Sequence, residues 1–463
     1  MAKVTFYGAC GCVTGSCTHL SWSQTQILVD CGMYQGDRDL KKRNWQPFPF
    51  DPKDIDAVII THAHLDHTGL LPRLVKMGFQ GVVYCTRPTR GLMSLVLQDS
   101  AKIQQEQARW AAKKGYSRHK DPKPLYTTQD VRQTLRLVKT VPFHQTHEVL
   151  PGIRLEYRRA GHLLGAASLN ITAKGSDGNS RTWCFSGDIG RYDVPILKDP
   201  ETTQTKPDAL LLESTYGDRA HEATDPKSEL YEIIRTTFDR GGSVIIPAFA
   251  LGRSQEVLYY LAELVEEQKV DPRAVFLDSP MAIKATRIYD SSVAEHDEEL
   301  QELDDTIDPL SADPFQHCST SSQSKALNKR KSPAVIVASS GMATGGRVLH
   351  HLAQKLGNPR HSVVFVGYQA AGTRGRVLTG GADTVSIYGQ RVRVRAQIHS
   401  LHGLSAHAGR KEILRWCDSL PVKPERIFLN HGEDQSRRAL AAVLEDEGWA
   451  RPGQPSFGDS VPW

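Results

Sequence analysis

Short runs of apolar residues, some continuous and some alternating with polar residues, succeed one another along the first half of the chain. Such runs between turn-forming residues are typical of β-strands. The predicted strands cover residues 4–7, 19–22, 27–29, 57–60, 81–84, 153–157, 168–171 and 182–185. Residues 70–77 and 91–114 have helical spacing, and Thr128 and Gln129 predict the start of a third helix that extends to residue 137.

From about Asp208 the pattern changes to a strand, a loop and a helix, repeated several times. The predicted strands cover residues 209–212, 243–247, 274–277, 334–338 and 363–366, with helices at 251–265 and up to residue 352. This alternation predicts an α/β domain whose parallel sheet is wrapped by helices, with a binding crevice at the carboxyl ends of its strands. Residues 300–331, rich in Asp, Ser and Lys, are predicted to be a solvated connection.

The last part of the chain returns to strands, predicted at residues 386–388, 392–398 and 426–429, with helices from about Ala408 and through Leu444. Its chemistry resembles that of the first half more than that of the middle block. We therefore predict that the middle block is an insertion that splits one domain.

Composition and charge are those of an ordinary soluble protein, with 39% hydrophobic and 24% charged residues. No run approaches the roughly 18 to 20 apolar residues of a membrane helix. The N-terminus MAKVTFYGAC lacks the pattern of a signal peptide. We therefore expect a cytoplasmic protein without a membrane partner. The net charge of +5 permits a polyanionic partner without requiring one.

The eight cysteines are scattered, which favours reduced thiols over a disulfide framework. Cys10, Cys12 and Cys17 share the loop ACGCVTGSC and could bind a soft metal, but no second cysteine pair of zinc-ribbon spacing completes such a site. We interpret the segment as a tight loop of small residues.

The stretch THAHLDHTG places three histidines and an aspartate in six consecutive positions, 62–67, directly after an apolar run. Protonated histidines would repel one another there, so metal binding is the economical explanation. Alternate residues of an extended segment face the same way, so His62 and His64 can bind one ion together. Asp66 and His67 lie where the chain turns into a helix, and they are better placed for a neighbouring ion.

A two-ion centre with a separation of roughly 3.5 to 4 Å needs further ligands. Three other strand ends each place one ligand-type residue next to glycine: His162 in AGHLLG, Asp188 in SGDIG and His431 in NHGE. Each is weak evidence alone, because polar residues at strand ends often only hydrogen-bond the backbone. Their conjunction with HxHxDH is specific.

These motifs resemble those of the metallo-β-lactamase superfamily. THAHLDHTG is similar to its HxHxDH motif, and the other core motifs follow in order with Asp30 in LVDCG, His162 in GHLLGA and Asp188 in SGDIG. The resemblance implies an αββα sandwich formed by residues 1–209 and 385–463.

The middle block, residues 210–384, resembles the β-CASP insertion, which implies a parallel sheet flanked by helices. Glu213 in LLLESTYG is similar to motif A, His407 in GLSAHAG to motif B and His431 in NHGE to motif C. From end to end the chain is similar to stand-alone prokaryotic ribonucleases akin to the nuclease subunit of the cleavage and polyadenylation specificity factor.

The resemblance implies a role for each site residue. Two zinc ions would be held, one by His62, His64 and His162, the other by Asp66, His67 and His431, with Asp188 as a bridge between them. Asp30 would orient the histidines through hydrogen bonds. The implied catalytic residues are Asp66, His407 as general acid or charge stabiliser, and Glu213 as a support for His407 or His431, with Ser405 as a phosphate contact.

The implied reaction is hydrolysis of a phosphodiester in the cleft between the two domains. Two zinc ions would lower the pKa of a bridging water and stabilise the transition state. In this family a histidine at motif C goes with RNA-cleaving members, so His431 points to RNA, and the expected substrate is single-stranded RNA. Ser340, Gly341 and Arg374 lie in loops that could bind phosphates, or that could be ordinary strand-to-helix turns.

Alternatives stay open at this point: a dizinc hydrolase of small esters or thioesters, a 5′–3′ exoribonuclease, and a non-catalytic RNA-binding scaffold. Every ligand position is filled, which disfavours the scaffold. No long extension follows Trp463 and no RNA-binding module precedes Met1, so we expect an endonuclease. The oligomeric state, including a homodimer, is open.

Overall fold

The computed structural model describes residues 2–22, 24–114, 122–175, 177–221, 225–304, 307–311, 314–367, 369–370 and 372–463. The chain divides into two compact units. The first comprises Met1–Tyr192, Asp199–Ala220 and His407–Trp463, and the second comprises Asp193–Lys198 and His221–Ala406.

Two facing sheets form the core of the first unit. The seven-stranded sheet has the order Ser460–Pro462, Lys3–Phe6, Thr18–Ser21, Gln26–Val29, Ala57–Ile59, Val82–Cys85 and Val138–Thr140. The six-stranded sheet has the order Arg426–Asn430, Ala209–Glu213, Ser180–Phe185, Ala167–Lys174, Ile153–Arg159 and His147–Leu150. Phe6 and Ile59 of one sheet share a buried cluster with Tyr157 and Trp183 of the other.

Helices flank these two sheets or lie in the loops between their strands. They are Arg38–Arg43, Leu65–Thr68, Leu71–Lys76, Arg87–Lys114, Thr128–Arg136, Arg410–Asp418 and Asp434–Asp446. Arg87–Lys114 packs on the edge strand Val138–Thr140 of the first sheet. Trp416 and Leu440, from the last two helices, share a buried cluster with Leu210 of the second sheet. The helix–sheet–sheet–helix layering confirms the predicted αββα sandwich.

The second unit is built on a parallel sheet with the strand order Gln316–His317, Val275–Leu277, Val335–Ala338, Val244–Pro247, Ser362–Phe365 and Gln397–Ser400. Its described helices are Pro226–Asp239, Arg253–Glu266, Pro280–Asp290, Glu298–Asp304, Ser321–Asn328, Val348–Lys355 and Arg374–Thr379. A separate hairpin pairs Thr384–Ile387 with Gln390–Arg393. The predicted parallel sheet with helices is confirmed.

The prediction of a solvated connection over residues 300–331 was wrong for the part that the structure describes. This segment contains the end of Glu298–Asp304, the edge strand Gln316–His317 and the helix Ser321–Asn328. Thr320 and Gln323 form a capping box at the start of that helix, and the side chain of Leu327 is buried on it. Local capping and a few buried side chains are therefore enough to order a polar segment.

The strand predicted at residues 392–398 is two strands in different sheets. Gln390–Arg393 belongs to the hairpin, whereas Gln397–Ser400 pairs in parallel with Ser362–Phe365. Between them, the N–H groups of Arg395 and Ala396 both donate to the carbonyl of Leu356, which breaks the run. Both strands belong to the second unit, and the chain returns to the first unit at His407.

Candidate metal centre

The histidine-rich segment leaves the seven-stranded sheet at the end of Ala57–Ile59 and turns into the short helix Leu65–Thr68, which begins before the helix predicted at residue 70. His64 occupies the N-cap position of this helix. Asp66 and His67 lie within this single-turn helix, and the ring centroid of His67 is 4.0 Å from that of His62. A four-residue turn therefore presents all of these side chains to one place.

One donor group comprises His62, His64, His162 and Asp188, whose ligand atoms all lie within 4.8 Å of one another. His62 Nε2 lies 3.1 Å from His64 Nδ1, and His162 Nε2 lies 3.2 Å from the same atom. Asp188 Oδ2 is 3.5 Å from His62 Nε2 and 3.6 Å from His162 Nε2. The structure therefore brings together the three histidines assigned to the first ion, with the aspartate beside them.

A second donor group comprises Asp66, His67 and His431. His67 Nε2 is 3.2 Å from His431 Nε2, and Asp66 Oδ2 is 3.5 Å from the same nitrogen. Asp188 contacts this group too, since its Oδ2 lies 3.4 Å from His67 Nε2 and its Oδ1 lies 3.3 Å from His431 Nδ1. Asp188 thus lies between the two donor groups, as the bridging role requires.

Asp30 holds the base of the histidine cluster. It follows the strand Gln26–Val29 with a positive φ of 61°, and its Oδ2 lies 2.6 Å from His67 Nδ1. Its carboxylate also accepts hydrogen bonds from the backbone N–H and hydroxyl of Thr61 and from the hydroxyl of Ser16. Thr61 and Ser16 were not singled out from the sequence, because hydroxyl residues beside a motif carry no distinctive spacing.

His407 and Glu213 lie beside the donor groups. His407 Nδ1 is 3.3 Å from the carboxylate of Glu213 and 4.0 Å from Asp188 Oδ2, and its ring centroid lies 4.5 Å from that of His162. Glu213 is held in turn by the backbone N–H of Ile189, at 2.6 Å. His407 and His431 were the two residues that Glu213 was predicted to support, and the carboxylate of Glu213 contacts a ring nitrogen of His407. Glu213 also belongs to a third donor group, with Asp188 and His431.

The protonation states of the histidines and the aspartate in the first and second donor groups favour the binding of a cation. Burial lowers the pKa of His64 to about 4 and that of His62 well below the usual value, so both rings are neutral near pH 7. Burial raises the pKa of Asp66, but a hydrogen bond from His431 and the charge of His67 lower it to about 2. Neutral imidazoles and ionised carboxylates are the forms that bind metal ions.

His67 and His407 carry the compensating charge. Burial lowers the pKa of His67, but Asp188 and Asp30 raise it well above the usual value. For His407, burial again lowers the pKa, and Glu213 with Asp188 raises it to about 9. A cation bound between the donor groups would compete with the proton of His67, because it would satisfy the same carboxylates.

Two observations test whether these residues fit zinc. First, Asp188 Oδ1 is buried and accepts no hydrogen bond within the described part of the chain, although a buried carboxylate oxygen normally has a partner. Second, zinc–nitrogen bonds of about 2.0–2.1 Å in a tetrahedron place ligand nitrogens about 3.3 Å apart. The 3.1 and 3.2 Å separations from His64 match that edge. The donor set fits.

The predicted phosphate contacts in the second unit have partners within that unit. The hydroxyl of Ser340 accepts from the N–H groups of Thr344 and Gly345. A side chain at Gly341 would meet the ring of Phe249 at 2.8 Å. Arg374 donates to the carbonyl of Ser386 at 2.6 Å. These contacts show ordered strand-to-helix turns, and the phosphate roles, with that of Ser405, stay predictions.

The two-sheet sandwich and the histidine–carboxylate cluster at its edge define a metal-dependent hydrolase of the metallo-β-lactamase class. Sequence comparisons agree with this class. Residues 23–231 match the metallo-β-lactamase superfamily, residues 254–378 the Beta-Casp domain, and residues 391–450 the Zn-dependent metallo-hydrolase RNA specificity domain. The chain belongs to the β-CASP ribonuclease family of this superfamily.

Relatives match over nearly the whole chain. The chain is 37% identical to Ribonuclease TTHA0252 of Thermus thermophilus, over 99% of this chain and 100% of that protein. It is 32% identical to Transcription termination factor FttA of Methanosarcina mazei, over 96% of this chain and 68% of that protein. A crystal structure of an Enterococcus faecalis protein of unknown function aligns over both full chains with a TM-score of 0.54 at 12% identity, which shows a shared fold.

Among the described residues, no helix has the length and apolar character needed to cross a membrane.

Proposed function

We propose that this protein is a zinc-dependent ribonuclease that hydrolyses internal phosphodiester bonds of single-stranded RNA. The observation that carries the proposal is the convergence of two donor groups on Asp188, with His407 held beside them by Glu213. The relative that this chain covers completely is named a ribonuclease. The archaeal relatives are named transcription termination factors, and the chain spans about two thirds of their length, so we do not extend that role.

The chain's own residues would divide the work as follows. His62, His64 and His162 would hold one zinc ion, Asp66, His67 and His431 the other, and Asp188 would contact both. When bound, the two ions would supply Lewis-acid stabilisation of the phosphate and a water of lowered pKa. Asp30 would keep the ring of His67 in the ligand orientation through its hydrogen bond at Nδ1.

His407 would move the proton that the leaving oxygen needs. With Nδ1 directed at Glu213, the ring can donate from Nε2, and the carboxylate stabilises the protonated imidazole. The side chain of His407 is about one-fifth exposed, as is that of Asp66, whereas His62, His67 and Asp188 are almost fully buried. The substrate would therefore approach from the side of Asp66 and His407. Ser405, Ser340, Gly341 and Arg374 are the proposed phosphate contacts.

The test is incubation of the protein with RNA labelled at one end or internally, with and without a chelator. We expect internal products of several lengths, and no products when the chelator is present. Release of single nucleotides from the 5′ end would show an exoribonuclease instead. Turnover of a small ester or thioester that survives His407→Ala, without RNA cleavage by the parent, would favour the small-molecule alternative.

Replacement of a ligand tests the site itself. Asp66→Ala and His431→Ala should each abolish RNA cleavage while the fold is retained, because each removes one donor of the second group. Robust cleavage by either variant would refute the assignment. Asp39→Asn, at an exposed aspartate on a surface helix, serves as the matched control and should cleave like the parent.

A further inference from the structure

A cavity of about 300 Å³ lies in the first unit, and none of its lining residues belongs to the donor groups. We call it the aromatic pocket, after five rings that line it: Tyr7, Tyr34, Phe48, Phe50 and Phe457. Such a volume is at the lower end of the roughly 300–1,000 Å³ range of small-ligand sites. The pocket has room for one small planar group.

The rings form a continuous wall. Phe48 and Phe50 stack with centroids 5.5 Å apart, and Tyr7 lies 5.8 Å from both Phe50 and Phe457. Phe457 is half exposed, so the wall reaches the surface of the protein. A row of ring faces that is open to solvent at one end is a suitable surface for a further planar ring.

Two arginines give the pocket a positive charge. The guanidinium of Arg43 lies 5.4 Å from the ring centroid of Tyr34 and 5.7 Å from that of Phe457, and that of Arg73 lies 4.8 Å from the centroid of Phe48. No aspartate or glutamate lines the cavity. The hydrogen bonds that the two guanidiniums make within the described residues go to uncharged groups: Arg73 donates to the carbonyl of Gln46 at 2.8 Å, and Arg43 hydrogen-bonds the side chain of Tyr34. Each guanidinium has five N–H donors, so both can add hydrogen bonds to an anionic ligand.

The wall is held in place before any ligand arrives. Pro47 and Pro49 fix the backbone on either side of Phe48. Asn44 anchors the start of this loop, since its side chain donates to the carbonyl of Tyr34 and accepts from the N–H of Tyr34. A preformed pocket loses little entropy when a ligand binds.

The backbone that lines the aromatic pocket contacts the backbone of the metal centre. Cys31, which lines the pocket, donates its N–H to the carbonyl of His67 at 2.8 Å. At the neighbouring Gly32 an added Cβ would lie only 1.6 Å from the carbonyl oxygen of Asp66, so the two backbones touch. The pocket and the donor groups therefore lie at the same edge of the seven-stranded sheet.

We propose that the aromatic pocket binds one unpaired nucleotide of the RNA substrate, outside the scissile phosphate; this inference rests on the proposed ribonuclease function. The base stacks on the aromatic wall, which every base can do because each has a π-face. Arg43 and Arg73 bind its phosphate, because guanidinium groups form paired hydrogen bonds with phosphate oxygens. The pocket is too small for a base pair, so it selects single-stranded RNA.

Photo-crosslinking tests the site without depending on cleavage. A short oligoribonucleotide that carries 5-iodouridine at successive positions is irradiated with the zinc-loaded full-length protein, and crosslinked peptides are identified by mass spectrometry. We expect crosslinks at Phe48 or Phe457, lost in Phe457→Leu and weakened in Arg43→Gln. Trp110→Leu removes an exposed ring on the helix Arg87–Lys114 that lies next to Lys113, and this control should leave the crosslinks unchanged.

Kinetics provide the second measurement. Stacking of one base contributes about 1–3 kcal/mol, so Phe457→Leu should raise KM for RNA roughly 5-fold or more while kcat stays near that of the parent. Trp110→Leu, which removes a ring outside the pocket, should keep the parent KM. Crosslinks that map elsewhere, or a KM unchanged in both Phe457→Leu and Arg43→Gln, would overturn the pocket while cleavage persists. Crosslinks in the pocket without any cleavage would instead contradict only the ribonuclease function.

Discussion

Asp30 shows how one buried carboxylate can set the orientation of a metal ligand. It accepts hydrogen bonds from Thr61 and Ser16 and lies 2.6 Å from His67 Nδ1. In Asp30→Asn an NH2 group replaces one carboxylate oxygen. At least one group that donates a hydrogen bond to Asp30 would then face another donor instead of an acceptor. We expect the affinity for zinc to fall about 10- to 100-fold. Competition with a chromophoric chelator measures this, and Asp39→Asn, which changes an exposed aspartate, should leave the affinity unchanged.

Glu213 and His407 offer a test of whether two residues act as a unit. Glu213→Gln keeps the acceptor for Ile189 N–H but removes the charge beside His407 Nδ1. We expect each single variant to lower kcat about 100-fold or more, and the double variant to be little worse than either. Zinc content should match that of the parent. Loss of one zinc equivalent in Glu213→Gln would instead make Glu213 a ligand.

At the scale of single residues, the motifs predicted the candidate metal ligands but not the residues that form hydrogen bonds with them. Histidines and aspartates beside glycine at strand ends could be recognised, because few other roles collect them so densely. Thr61 and Thr215 could not, since hydroxyl residues are common and a hydrogen bond from Thr215 to His431 depends on tertiary placement. The same limit applies to Arg374, whose guanidinium binds backbone carbonyls of its own unit.

At the scale of elements, the strand Val275–Leu277 ends in a buried cluster in the second unit. Asp278, which is fully buried, accepts hydrogen bonds from Ser324 at 2.6 Å, Arg347 at 2.6 Å and His351 at 2.7 Å. These contacts join two helices, Ser321–Asn328 and Val348–Lys355 with its N-cap Arg347, to one strand end. Asp278→Asn leaves Arg347 without its carboxylate, so we expect the unit to lose about 3 kcal/mol of unfolding free energy, measured by urea denaturation.

The pH dependence of this cluster follows from the same contacts. Burial raises the pKa of Asp278, but hydrogen bonds from His351, Ser324 and Arg347 lower it below the ordinary value of 3.8. A depressed pKa in the folded state stabilises the protein above the unfolded pKa, and this stabilisation is lost as the pH falls through the folded pKa. The parent should therefore lose its advantage over Asp278→Asn below about pH 4. Hydrogen bonds from Arg273 also lower the pKa of Asp271, but solvent screens this exposed pair, so Asp271→Asn should show a smaller effect.

Elements with strong periodicity were predictable, and those defined by tertiary contacts were not. The buried strands were placed correctly within one to three residues, as for Ala209–Glu213 and Val244–Pro247. The edge strands Val138–Thr140 and His147–Leu150 were missed, because most of their side chains are exposed and polar. The third helix is capped by Thr127, one residue before the predicted start, since Asp130 completes a capping box there.

At the scale of the whole molecule, the metal centre depends on pairing between distant parts of the chain. Arg426–Asn430 pairs in parallel with Ala209–Glu213, so that Glu213 lies opposite Asn430 and His431 follows directly. Strand periodicity alone cannot specify this register, because the paired residues lie more than two hundred positions apart. Only the order of the motifs indicated that residues from the beginning and end of the chain share one site.

Because its donors come from residues 62–67, 162, 188 and 431, metal binding should stabilise the first unit as a whole. A ligand present at about 1,000 times its dissociation constant adds about 4 kcal/mol, which for a domain of this size corresponds to a shift of roughly 10 °C. Differential scanning calorimetry should therefore show a lower unfolding temperature after zinc is removed with a chelator, restored by added zinc. Asp278→Asn, which lies in the second unit, should keep this shift, and Asp66→Ala should show less of it. Identical unfolding temperatures with and without chelator would contradict a structural link between the metal and the fold.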